Sequence, residues 1–107
     1  MIYAVTLTYR RPVEDINPHL DTHRDWLVAL GHTGHLIAAG PLEDGSGGVV
    51  LLHCRDQEEV ADLLSRDSFH VHQLVDYGTR AFLPKLRAED FSERWAVDAK
   101  AIASRSS

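Results

Sequence analysis

Glycines, prolines and charged turns divide this chain into short segments whose order leaves few folds open. Residues 2–9, IYAVTLTY, are β-branched and aromatic with no breaker, which predicts a strand. RRPVEDINP reads as a turn-rich entry to a helix from about Asn17 to Gly34. Ile16 precedes the helical stripe, Leu20, Leu27 and Leu30 recur at helical spacing, and Gly34 stands where a left-handed cap ends a helix. HLIAAGP is a short strand closed by Gly40 and Pro41, LEDGSGG a turn, and VVLLHC a third strand. DQEEVADLLS, residues 56–65, predicts a second helix with Asp56 as N-cap and Glu59 three positions on. RDSFHVHQ reads as irregular or a single turn, capped by the Asp67 side chain and anchored by Phe69. LVDYGTRAFLPK is the last strand, with Gly78 at a bulge or close approach.

The order β-α-β-β-α-β predicts an α+β, ferredoxin-like split βαβ fold, with an antiparallel sheet and both helices on one face. At 107 residues there is room for one core. Residues 1–84 form the expected core and 85–107 a C-terminal helical extension, because Phe91, Trp95 and Ile102 fall near one helical face. Neither the first nor the third strand has a clean polar face. The uncovered side of the sheet therefore needs either the tail or a second copy of the chain, and a C2 homodimer is the simpler answer.

Composition narrows function mainly by exclusion. A net charge of −5 without a basic stripe argues against nucleic acid, and no apolar run approaches the roughly 20 residues of a membrane span. The opening MIYAVTLTYRRP reads as a strand rather than a leader, and the single Cys54 cannot form an internal disulfide; both fit a cytoplasmic protein.

The informative residues are histidines. His23 interrupts the apolar stripe of the first helix, so its ring should face the sheet. An imidazole there is either a core histidine satisfied by a backbone carbonyl or a general base held by a carboxylate. Glu43 and Asp44 follow the end of the second strand, where Asp44 is either an orienting partner for His23 or part of an ordinary Asp-Gly turn. His70 and His72 lack an evident third ligand and read as pocket-rim residues. His19 and His23 have the spacing of a helical zinc motif, but Leu20 stands where that motif needs glutamate. No phosphate-cradling GxxxxGK[ST], GxSxG elbow or cysteine cluster is present.

Taken in order, HRDWLVALGHTGHLIAAGP and the later RDSF resemble the YCII-related (YciI-like) family of small dimeric α/β-barrel proteins. The resemblance runs over residues 1–84 and rests on His23, Gly34, Ala39-Gly40-Pro41 and Asp67-Ser68-Phe69, with Ser68 where the family usually has proline. It implies a ferredoxin-like monomer pairing sheet to sheet and a pocket with a catalytic His–Asp pair. Carried over, the histidine is His23; Asp44 matches an acidic position after the Gly-Pro, with Asp67 as the alternative. On this basis we expect a cofactor-independent, metal-free enzyme of lyase or isomerase type. It would move a proton in elimination, isomerisation or dehydrochlorination of a small molecule, with aromatic and quinone-like compounds among the candidates. Tyr3, Val5 and Tyr9 would line the pocket with Asp67, Phe69 and His70, and Arg80 would hold an anionic group. The alternatives are a non-catalytic module binding a small molecule in the same pocket, and a metal enzyme using His53, His70 or His72.

Overall fold

The structure, a computed structural model, describes residues 1–105; the last two residues of the polar SRSS end lie outside the described residues. Strand β1 (Ile2–Tyr9) leads into a single turn, α1 (Val13–Ile16), then a 3-10 turn at Asn17–His19 and the long helix α2 (Leu20–His32). Helical structure thus begins earlier than the periodicity suggested, and Pro18 falls in the 3-10 turn where its missing N–H costs little. Gly34, at φ +83°, ends α2 in the left-handed conformation expected of it.

Strands β2 (Leu36–Pro41) and β3 (Gly47–His53) form a hairpin, followed by α3 (Gln57–Leu64), α4 (Ser68–Val71) and β4 (Val75–Phe82). Asp56 Oδ1 accepts from the Glu59 N–H at 2.9 Å, as expected of the N-cap, while the Glu59 carboxylate reaches back to the Arg55 N–H. The sheet is antiparallel in the order β2-β3-β1-β4, with Val5 opposite Val50 and Thr79.

Alternation along the strands decides where the core sits. Tyr3, Val5 and Leu7 of β1, Val50 and Leu52 of β3 and Val75 of β4 are buried with Trp26 and Leu30 of α2, Val60, Leu63 and Leu64 of α3, and Phe69 of α4. Both long helices therefore cover one sheet face. The other face carries Thr6, Thr8, Asp76 and Arg80 in exposed positions on β1 and β4, with Val49 and Leu51 half-buried beside them on β3. Gly78 sits in regular pairing, not at a bulge; a Cβ there would stand 2.8 Å from Thr6 Oγ1, so close approach is what requires glycine.

The tail corrects an expectation: it is not helical. Leu86–Ala88 (β5) and Lys100–Ile102 (β6) form a parallel ribbon around a 3-10 turn at Glu93–Trp95. Phe91 and Trp95 pack edge to face at 5.3 Å, but with Ile102 they offer a helix too little to bury; their N–H groups go to the Ala88 and Ser92 carbonyls in turns, and the ribbon pairs the residues on either side. Arg94 Nη1 ties this tail to the core by donating to the Gly34 carbonyl. Among the described residues, no helix is long and apolar enough to cross a membrane.

Candidate functional site

Asp67 is the N-cap of α4, and the capping geometry is what points its carboxylate inward. Oδ1 accepts from the Phe69 N–H at 3.1 Å and closes the first turn. The same oxygen takes a 2.7 Å hydrogen bond from His23 Nδ1, and Oδ2 takes one of 2.8 Å from the Tyr77 hydroxyl. Asp67 is 0% exposed. A buried carboxylate is tolerable only when its lone pairs are met, and here three donors from three elements converge on it.

Tyr77 is fixed as a donor. Burial, reinforced by the Asp67 charge and their hydrogen bond, pushes its hydroxyl far above the usual tyrosine range. With the Phe69 N–H and the Tyr77 hydroxyl both donating to it, Asp67 stands as an acceptor, and an acceptor beside Nδ1 favours the His23 tautomer with its proton there and a lone pair on Nε2.

The ring is held from its faces as well as its edge. His23 stacks on Phe69 with centroids 3.9 Å apart and planes 5° from parallel, and Trp26 lies 5.5 Å away. Trp26 is itself pinned, its Nε1 donating to the Leu63 carbonyl at 2.9 Å. Ser68 joins α4 to α2, accepting from Thr22 Oγ1 at 2.9 Å and donating to the His19 carbonyl. Nε2 of His23 has no protein partner among the described residues, nor is it a sealed orphan atom; the side chain is 12% exposed.

His23 lines a cavity of about 260 Å³. Helix α2 contributes Leu20, His23, Arg24 and Leu27; β1 contributes Leu7 and Tyr9; α4 contributes Phe69; the β2–β3 hairpin closes the far side through Ala39-Gly40-Pro41 and Gly47 to Val50. Gly47 cannot be larger: a Cβ there would lie 1.7 Å from the Leu7 carbonyl oxygen. The walls are mostly apolar, with Tyr9, His23 and Arg24 as the polar side chains, a common design of small-molecule sites.

The structure assembles only part of the expected set. Tyr9 and Phe69 line the cavity with His23, but Tyr3 and Val5 lie in the core below it, because the cavity opens at the Tyr9 end of β1. The expected pairing of His23 with Asp44 is not made. Asp44 sits in the exposed hairpin turn, where its Oδ1 accepts from the Ser46 N–H and hydroxyl, which holds its carboxyl below the usual range. Asp67 takes the pairing instead and stands behind the imidazole rather than on the cavity wall. His70 is exposed, its ring 5.9 Å from that of Tyr77, and Arg80 is on the opposite sheet face across from Ala4. His72 lies against His19, with ring centroids 4.1 Å apart and planes tilted by 30°. Among the described residues, no group of three or more His, Cys, Asp or Glu side chains is arranged to hold a metal ion.

Leu7, Arg24 and Tyr77 are site residues that sequence reasoning did not single out. Tyr77 carried a faint signal: it alternates with Val75 on an inward-facing strand, and a buried phenol needs a partner. Cys54 is buried, and burial with the Glu59 charge beside it pushes the thiol up to about 11, so it stays protonated at neutral pH.

The sequence profile of the YCII-related domain matches residues 1–76. The chain belongs to that family. The match to this YCII-related domain covers His23 and Asp67 and ends one residue before Tyr77. Its fold is similar to that of 5-chloro-2-hydroxyhydroquinone dehydrochlorinase (TftG) from Burkholderia phenoliruptrix AC1100, solved in complex with 2,5-dihydroxybenzoquinone. The two share a TM-score of 0.68 and 15% identity over 78% of this chain and 95% of the other, a likeness of fold. No curated protein matches the chain.

Proposed function

We propose that this YCII-related domain is a small-molecule enzyme in which His23 is the general base, Nε2 being the atom that takes the proton. The observation that carries the reading is the two-sidedness of the ring: a buried carboxylate on one edge and an apolar cavity beside it. Asp67 and Tyr77 are positioning residues. Asp67 keeps the proton on Nδ1 and offsets the positive charge that develops on the ring, and Tyr77 supplies the donor that completes the carboxylate's shell. A base so positioned contributes about 10²–10⁴-fold, with the cavity supplying orientation and exclusion of water.

The fold shared with a dehydrochlorinase favours elimination. In the keto tautomer of a chlorinated hydroxyhydroquinone the C–Cl carbon is tetrahedral; a neighbouring C–H or conjugated O–H proton passes to Nε2, the electron pair it leaves behind forms the new double bond, and the C–Cl pair departs with chloride. The imidazolium then returns its proton to water, and the balance closes without a redox partner. A pure binding pocket has no use for a titratable ring braced in this way, which ranks that alternative second. The test is chloride release from a panel of chlorinated hydroxyhydroquinones. His23→Asn, confirmed as folded, is expected to lose at least about 10²-fold in kcat/KM. Native-like turnover by that variant removes His23 from the chemistry.

The same reading includes a homodimer, with a second copy covering Val49 and Leu51 on the open sheet face, and a reducing, cytoplasmic setting for the free Cys54. Sedimentation of the purified chain tests the first: a monomer at micromolar concentration refutes it.

A further inference from the structure

Arg24 is the one lysine or arginine on the wall of the cavity beside His23, and no aspartate or glutamate lines that wall. Its guanidinium enters none of the ion pairs and none of the side-chain hydrogen bonds found among the described residues. The other arginines near acids or carbonyls do: Arg10, Arg55 and Arg66 pair with carboxylates, and Arg87 and Arg94 donate to carbonyls. Asp21 and Asp25 lie on the same helix without engaging it. A long side chain of this kind lays its methylenes along apolar wall and keeps its charged head at the mouth. Arg80, the residue expected to hold an anion, lies on the other side of the sheet.

We propose that Arg24 is the anion anchor of the cavity and that the substrate is a small, flat, singly charged anion. Its carboxylate or phenolate oxygen rests on the guanidinium, and its apolar body lies against Leu7, Leu20, Leu27, Val50 and Phe69. The planar fork of an arginine matches such an oxygen group better than a point charge does. Size agrees: about 260 Å³ lies just under the roughly 300–1,000 Å³ of pockets for drug-sized ligands, which suits a single ring. His23 and Arg24 both line this cavity, so an anion held by the guanidinium shares its space with the imidazole. This assignment rests on the cavity being the substrate site, as proposed above.

The test is binding, which needs no turnover. Benzoate and 4-nitrophenolate are the anionic probes and benzamide the uncharged isostere of benzoate. Binding is read by calorimetry and by the indole resonance of Trp26, whose ring lies 5.5 Å from that of His23. The native protein is expected to bind the anions at least about tenfold more tightly than benzamide. Arg24→Gln should abolish that preference with benzamide binding unchanged, and Arg24→Lys should restore part of it. Equal affinities in the native protein, equal weakening of all three probes in Arg24→Gln, or no saturable binding of either anion overturns the proposal. His23→Asn separates it from the proton-transfer reading. Anion preference retained in a His23→Asn protein whose turnover is native-like sinks the general base alone. Preference absent while His23→Asn abolishes turnover sinks the anchor alone.

Discussion

Asp67→Asn keeps the side chain's shape and removes its charge, so it separates orientation of His23 from simple capping of α4. In the native protein the 2.7 Å bond from His23 Nδ1 ends on a carboxylate, and bonds to charged groups contribute about 1.5–3 kcal/mol. At about 1.4 kcal/mol per tenfold, that biases the ring about 10- to 150-fold toward the form with a free Nε2. In the variant, the Phe69 N–H still demands an oxygen at the Oδ1 position, so the bond to His23 survives only as a neutral one of about 0.5–1.5 kcal/mol. The bias then falls to about two- to tenfold, and the ring form protonated on Nε2 rises from under about a tenth to as much as about a third. The amide nitrogen now faces the Tyr77 hydroxyl, which must turn from donor to acceptor; the resulting loss of stability is about 1–3 kcal/mol. Nitrogen-15 NMR of the His23 ring reads the tautomer directly, and thermal unfolding reads the stability. Turnover is expected to drop about 10²–10⁴-fold, because the charge that develops on the ring loses its counterpart. Unchanged ring resonances together with turnover within about threefold of native would show that Asp67 only caps α4, and the relay argument would fail.

Tyr77→Phe should flatten the alkaline limb of the stability profile. The raised hydroxyl value means that the folded chain holds a proton which the unfolded chain releases near 10.0; this stabilisation is full below that pH and lost as pH climbs through the folded value. Urea unfolding of native and Tyr77→Phe protein from about pH 8 to about pH 11 checks it, and parallel curves refute it. Gly47→Ala should cost at least about 3 kcal/mol, because the new methyl meets the Leu7 carbonyl at 1.7 Å and β1 or the hairpin must shift; urea titration measures it. Asp44→Ala should cost no more than about 1 kcal/mol and leave the His23 resonances in place, because Asp44 serves only its own turn through Ser46.

What the sequence could disclose follows from how far each cause reaches along the chain. The caps at Asp56 and Asp67 and the left-handed Gly34 act on backbone a few residues away, so their residue types were enough. The strand and helix order needed only hydrophobic period and breakers, and with it came the shared inward face of Leu20, His23, Leu27 and Leu30. The tail misled because Phe91 and Trp95 are spaced for a helix, whereas β5 and β6 satisfy their backbones by pairing with each other from a distance.

The partner of His23 belongs to the second class. Asp44 is nearer in sequence and follows a strand end, yet the hairpin turn consumes its carboxylate. Asp67, 44 positions from His23, is brought under the ring because α4 packs against α2 through Ser68 and Phe69. The register that sets Tyr77 opposite Leu7 on the inner face of the sheet then delivers the hydroxyl to the same carboxylate. By itself the chain's pattern determined that a histidine would lie against the sheet beneath a ferredoxin-like pair of helices. Which acid holds it, which tyrosine completes the shell and which arginine shares its cavity were decided by tertiary packing, because hydrogen bonds across elements depend on three-dimensional register that no local period encodes.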